Sequence, residues 1–225
     1  MRFPSRPFAN RREAGRQLAV AVAKLRLQGP LVVLGLPRGG VPVAFEVARA
    51  LGAPLDVMLV RKVGMPGQPE LAIGAVAAGE VTVRQAAGGG EFGPDAQQFA
   101  ALARRERHEL ERREHLYRGG LAPLDLSGRT AVLVDDGLAT GATMLAAIRA
   151  ARQAGAASVV AALPVGSEEA AARIRSECDE LVILEIPAFM YAVGEWYTDF
   201  SQVEDAQVCR LLQQAQELHA LPAKG

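Results

Sequence analysis

Ala131-Val132-Leu133-Val134-Asp135-Asp136-Gly137-Leu138-Ala139-Thr140-Gly141-Ala142-Thr143 is the stretch whose reading decides the fold. Four apolar residues run into two adjacent carboxylates, and a loop of small residues leads to the helix-forming segment Met144-Leu145-Ala146-Ala147-Ile148-Arg149-Ala150. That order predicts a buried strand, an acidic pair at its carboxyl end, a tight loop and a helix N-terminus. Open α/β sheets bind ligands at the carboxyl ends of their strands, where a helix N-terminus offers unpaired N–H groups to an anion. Gly137 and Gly141 let backbone approach a phosphate, and the hydroxyls of Thr140 and Thr143 can add hydrogen bonds. Two carboxylates beside a phosphate would repel it. Asp135 and Asp136 are therefore expected to face another part of the ligand, accepting hydrogen bonds from vicinal hydroxyls or holding a hydrated cation. A phosphorylated ribose has both features. The plainer alternative is a strand-to-helix turn capped by one aspartate, but a cap requires neither a second acid nor two threonines.

A second loop of similar design lies upstream. Leu31-Val32-Val33-Leu34-Gly35-Leu36 reads as the first core strand, Pro37-Arg38-Gly39-Gly40 follows, and residues 41–51 read as a helix with Pro42 in its first turn. Here a cation replaces the carboxylates, so Arg38, Gly39 and Gly40 suit a second polyanion. Pro-Arg-Gly-Gly alone would be an ordinary turn; its place after the first strand favours the ligand loop. Residues 55–60 read as a further core strand that delivers Arg61 and Lys62, two cations, at its carboxyl end. A glycine- and proline-punctuated excursion over about 62–94 contains two short strands, 71–76 and 81–84, and a Gly-rich connector over 86–94. Helices are expected over about 11–27 behind an Asn10 cap, from Asp95 to about Tyr117, over 167–176 and over 203–218, with strands over 158–165 and 180–185. The alternation predicts a single α/β domain over 1–225, built on one doubly wound, mainly parallel sheet.

Composition narrows the partners. The 225 residues suffice for one substantial core, and 25 basic residues balance 25 acidic ones, so no general attraction draws the chain to nucleic acid or an anionic membrane. Arginines and glutamates alternate over 104–114, which argues against a nucleic-acid stripe. His108 and His115 share a helix face but lack a third ligand. Cys178 and Cys209 read as buried thiols in a reducing compartment. No apolar run resembles a leader or approaches the ~18–20 residues of a membrane span, so a soluble, cytoplasmic protein is expected. Of eleven aromatic residues, five fall within 186–200, which makes that segment either a packed flap or a stacking surface for a ligand.

Val-Leu-Val-Asp-Asp-Gly-Leu-Ala-Thr-Gly-Ala-Thr resembles the phosphoribosyl pyrophosphate (PRPP) signature of the type I phosphoribosyltransferases, a long and specific motif. Rival phosphate loops fit poorly: the chain has no Gly-x-x-x-x-Gly-Lys-Ser/Thr, and no Gly-x-Gly-x-x-Gly follows the first strand. The resemblance implies that Asp135 and Asp136 address the ribose hydroxyls and that Ala139, Thr140, Gly141, Ala142 and Thr143 wrap the 5′-phosphate. It implies that Arg38, Gly39 and Gly40 form the pyrophosphate loop, which in the family often contains a strained or cis non-proline peptide. Val60-Arg61-Lys62-x-Gly64-x-Pro66-Gly67 resembles the start of the mobile hood loop of adenine-type members, implying that Arg61 and Lys62 join Arg38 in neutralising pyrophosphate. The bland reading there is a solvated basic pair on a hairpin. A C-terminal hood over about 186–203 would supply Phe189, Val193, Trp196 and Tyr197 to a base, and Asp199 would join Asp135 and Asp136 near Mg2+. Two departures stand out. Adenine-type members carry Glu-Tyr where Ala77-Ala78 stand, and 6-oxopurine members carry an acid where Ala139 stands; Glu70 and Glu80 are the only acids nearby. The resemblance thus implies a Mg2+-dependent homodimeric enzyme moving phosphoribosyl from PRPP to a nucleobase-like nitrogen acceptor with release of pyrophosphate. The alternative is a non-catalytic PRPP or nucleotide sensor on the same fold.

Overall fold

In the computed structural model, which describes residues 8–77, 81–84, 94–119 and 125–220, the apolar half of the quoted stretch is strand β6 (Thr130–Val134), buried throughout. It occupies the centre of a five-stranded parallel sheet. On one side it pairs with β1 (Leu31–Gly35), which pairs with β2 (Leu55–Val57). On the other it pairs with β7 (Ser158–Val165), which pairs with β8 (Glu180–Glu185). Because side chains alternate along a strand, each strand of a covered sheet must be apolar on both faces. Val33, Val132, Val134, Val160 and Ala162 pack toward α1 (Arg11–Ala23), α2 (Gly40–Leu51) and α6 (Asp205–Ala220). Their neighbours Val32, Leu34, Leu133, Val159 and Leu163 pack toward α4 (Ala142–Gln153) and α5 (Glu168–Arg175). Burying a valine or leucine fully is worth about 1.5–3 kcal/mol, so this double-sided pattern is what holds the layers in register.

The strand order places the site. The chain leaves β1 for β2 on one side and β6 for β7 on the other, so a crevice opens between the carboxyl ends of β1 and β6. Both glycine loops emerge there.

One expected strand divides in two. The run over 55–60 was apolar enough for a continuous core strand, but Met58 N–H donates to the Gly35 carbonyl at 3.0 Å and the chain then turns away. It continues as β3 (Val60–Met65) in a separate antiparallel sheet with β4 (Gln68–Ala77) and β5 (Thr82–Arg84). Arg61 and Lys62 therefore lie within a strand of this small sheet and not at the end of a core strand. The sheet packs between α4 and α3 (Ala96–Arg118); a Cβ on Gly74 would come within 2.6 Å of the Phe99 ring, so the glycine allows α3 its close approach. Asp95 begins α3 in a reciprocal capping box with Gln98. Helix α1 begins at the expected Asn10 cap but stops at Ala23, ahead of a turn in which Arg26 takes a positive φ of 49°. Ala78, Glu80 and connector residues 86–93 lie outside the described residues. Among the described residues no helix is long and apolar enough to cross a membrane.

Candidate functional site

Gly35 and Val134 are register partners, so β1 and β6 end level and their loops leave side by side. Leu36 N–H donates to the Val134 carbonyl at 2.8 Å, prolonging the pairing by one residue. The Pro37–Arg38 peptide that follows is cis. Gly40 N–H then returns to the Leu36 carbonyl at 3.0 Å, closing a loop that opens directly into α2. Both glycines are sterically required. A Cβ on Gly39 would collide with Asp136 Oδ2, and one on Gly40 would stand 2.6 Å from the Val134 carbonyl oxygen and 2.8 Å from Asp135 Cα. The Arg38-Gly39-Gly40 loop is thus pressed against the acid pair.

The carboxylates themselves are withdrawn from water. Asp135 Oδ1 accepts from the Asp136 backbone N–H at 2.8 Å, and Asp136 Oδ2 accepts from Arg11 Nε at 2.8 Å. Burial, reinforced by the Asp136 charge, pushes the Asp135 carboxyl well above the usual carboxylate range, with Arg11 and Lys62 opposing that rise. Burial also raises Asp136, against the pull of its hydrogen bond to Arg11. A buried pair in this condition favours a ligand that donates hydrogen bonds or carries positive charge.

Beyond the acids, Leu138 N–H donates to the Val165 carbonyl at 2.9 Å and fastens the loop to the end of β7. Ala139 and Thr140 are exposed, Gly141 takes a left-handed φ of 79°, and Ala142 starts α4, so the first N–H groups of α4 open toward the loop. Two downstream side chains brace it. Ser167, which caps α5, donates through Oγ to the Ala139 carbonyl at 2.9 Å, and Arg173 Nη1 donates to the Thr140 carbonyl at 3.1 Å.

The remaining candidates are not all brought together. Arg38 lies at the loop, its Nη1 3.9 Å from Asp205 Oδ1, an acid that also accepts from the Tyr117 hydroxyl. Lys62 stands near enough to Asp135 to lower that carboxyl. Arg61 faces away. Consecutive strand residues point to opposite faces, and Arg61 pairs with Glu106 of α3, Nη2 to Oε2 at 2.6 Å. In the segment expected to form a hood, Val193–Trp196 form a 3-10 turn; Val193 packs over Gly137, while Phe189 is 83% exposed. Trp196 and Tyr197, expected to offer faces to a base, are instead buried with Phe8, Ala14 and Val165. The Tyr197 hydroxyl donates to the Asp136 carbonyl at 2.6 Å, so this ring supports the acid loop from behind. Asp199 is occupied with the Ser201 N–H at 3.0 Å, and among the described residues no three acids, histidines or cysteines converge on a common metal position. The grouping of Asp199 with Asp135 and Asp136 is therefore not seen.

Arg11 is a residue that sequence reading missed: it begins an expected helix without any motif around it, and its acid partner lies 125 positions away. Ser167 and Arg173 carried no signal beyond a helix start and a surface charge.

Comparison with known proteins gives this geometry its relatives. The family model described as "Phosphoribosyl transferase domain" matches residues 11–195. A Mycobacterium tuberculosis protein named "Putative phosphoribosyl transferase Rv0571c" is 49% identical over 210 residues, 92% of this chain, and its counterpart in a second strain matches equally. The chain spans about half the length, 47%, of these curated relatives. Among solved structures, that of TT1426 from Thermus thermophilus aligns with a TM-score of 0.80 and 47% identity, covering 92% of this chain and 98% of that one. With the family model reaching from Arg11 at the acid pair to Glu195 in the 3-10 turn beyond β8, this chain belongs to the phosphoribosyl transferase domain family.

Proposed function

We propose that the protein transfers a 5-phosphoribosyl group from PRPP to a nucleobase-like nitrogen acceptor, releasing pyrophosphate. One observation carries this reading: the acid pair, the Gly39-Gly40 loop and the N-terminus of α4 meet at one crevice of the sheet. In the reaction, the bond from the ribose C1 to the pyrophosphate oxygen breaks and its electron pair leaves with pyrophosphate. The lone pair of the acceptor nitrogen forms the new bond, and the nitrogen's proton goes to solvent. Positive charge develops on the sugar and negative charge on the leaving group, so positioning and charge neutralisation are the main demands.

The residues divide this work by location. Asp135 and Asp136 accept hydrogen bonds from the ribose hydroxyls, and residues 139–143 with the first N–H groups of α4 hold the 5′-phosphate. Gly39 and Gly40 expose backbone to pyrophosphate, flanked by the cations Arg38 and Lys62. Arg61, held by Glu106, reaches the leaving group only by giving up that pair. Phe189, 83% exposed on the hood, is a ring available to stack on an acceptor. The donor set also fits Mg2+, which is commonly held by one or two carboxylates together with substrate phosphates. Asp135 and Asp136 would hold the ion, and when bound it would shield the charge of the departing pyrophosphate.

The test is pyrophosphate release from PRPP with Mg2+ across a panel of bases; no turnover with any acceptor would favour the sensing alternative, to which the exposed Ala139, lacking an acid, lends itself. Replacing Lys62 separates the two further. Lys62→Ala is expected to lower kcat by about 10²–10³, the range for losing one preorganised charge-stabilising group. PRPP affinity by calorimetry should change far less, and an unchanged kcat would remove Lys62 from the chemistry.

A further inference from the structure

We propose that Arg11 is a positioning residue for the sugar-binding acids, aiming Asp136 and tying it to the hood; this rests on the phosphoribosyl reading above. Arg11 is the first residue of α1, where the positive end of the helix disfavours a cation. Its side chain is nevertheless only 11% exposed and is held on three sides. Nε donates to Asp136 Oδ2 at 2.8 Å, Nη1 donates to the Ser201 carbonyl at 2.8 Å, and the guanidinium lies 3.8 Å from the centroid of the Phe200 ring. A lysine carries its donors on one nitrogen and lacks the guanidinium's planar fork, which here sends Nε and Nη1 to separate acceptors.

The surroundings turn this contact into a link between two halves of the site. Phe8 N–H donates to the Trp196 carbonyl at 2.8 Å, Thr198 N–H to the Phe8 carbonyl at 2.8 Å and Asp199 N–H to the Ala9 carbonyl at 2.9 Å, so the lead into α1 is zipped to the hood. The Tyr197 ring stacks at a tilt between Phe8 and Phe200 while its hydroxyl holds the Asp136 backbone. Arg11 completes the circuit through the Asp136 side chain. With Oδ2 taken, Asp136 presents its other oxygen to a ribose hydroxyl in one fixed direction. The acceptor side and the sugar side of the crevice then share one anchor.

The single tryptophan, Trp196, lies buried in this cluster and reports on it. Arg11→Met is expected to raise KM for PRPP about tenfold to a hundredfold, the effect of losing a hydrogen bond to a charged group, with kcat falling only a few-fold. Arg11→Lys should fall between wild type and Arg11→Met. Without ligand, Arg11→Met and Asp136→Ala should give the same red shift of Trp196 emission, because each removes one end of the same hydrogen bond. Should Arg11→Met fail to fold, Phe200→Ala removes the platform and leaves the ion pair, and a KM rise of a few-fold is expected. Unchanged KM and unchanged emission in these variants would overturn the inference while PRPP binding by wild type stands. Absence of PRPP binding by wild type would overturn the phosphoribosyl reading itself, and the matched emission shifts then decide whether Arg11 couples acid and hood.

Discussion

Alanine at Gly40 is expected to lower the melting temperature by roughly 2–12 °C, whereas alanine at Gly39 should spare most of the fold and remove PRPP binding. Both positions lack room for a methyl group, but the obstacles differ. At Gly40 they are the Val134 carbonyl oxygen at 2.6 Å and Asp135 Cα at 2.8 Å, both backbone of the central strand or its immediate continuation. Neither can rotate aside, so the start of α2 must move away from the end of β6; overpacking of this kind costs about 1–3 kcal/mol and occasionally more. In a chain of this length each kcal/mol corresponds to about 2–4 °C. At Gly39 the obstacle is Asp136 Oδ2, the end of a side chain. It can swing away, but only by leaving Arg11 and the orientation a ribose hydroxyl needs. Thermal melts and PRPP titrations of the two variants should therefore rank in opposite order. If both lose only stability, the Gly39 loop is packing and not part of the ligand site.

The contrast shows what local sequence conveys and what it cannot. Alternating burial along Val32, Val33 and Leu34, and the passage from Val134 into two acids and a glycine loop, specify strand, crevice and helix because each depends on neighbours within a few positions. The strand order then needs only the rule that short right-handed crossovers link parallel strands. Three features escaped. The break at Met58 depends on which strand offers a pairing edge, and a run of apolar residues satisfies a core strand and a small antiparallel sheet equally well. The opposite orientation of Arg61 and Lys62 follows from strand alternation, but only once β3 is known to lie between α3 and α4. The Arg11–Asp136 pair spans 125 positions and leaves no trace in the spacing of either residue. Aromatic clustering near the C-terminus does not tell inward rings from outward ones, because the same composition serves an inward ring such as Tyr197 and an outward one such as Phe189.

Asp135→Asn should make the ligand-free protein more stable and the liganded protein less so. Two carboxylates are adjacent in sequence and largely buried, and burial together with the Asp136 charge holds the Asp135 carboxyl well above its ordinary range. The sign follows from linkage. A carboxyl whose value is raised by folding binds a proton in the native state that the unfolded chain has released, so stability falls as pH rises from the unfolded value to the folded one. An amide at 135 is uncharged throughout and can still accept the Asp136 N–H through its oxygen. The gain in melting temperature over wild type should then be near zero around pH 4 and widen toward pH 8, reaching roughly 2–6 °C for an effect of ordinary mutational size. Addition of PRPP and Mg2+ should reverse the order. The amide presents a donor where a hydroxyl needs an acceptor, and loss of a hydrogen bond to a charged group weakens binding about tenfold to a hundredfold. Ligand stabilises in proportion to the logarithm of its concentration over Kd, so wild type recovers what Asp135→Asn forfeits. Melting curves at several pH values, with and without ligand, test both halves together. A variant less stable than wild type at pH 8 without ligand would mean that the pair is not strained by its own charge, and a variant that binds PRPP normally would place the ribose elsewhere.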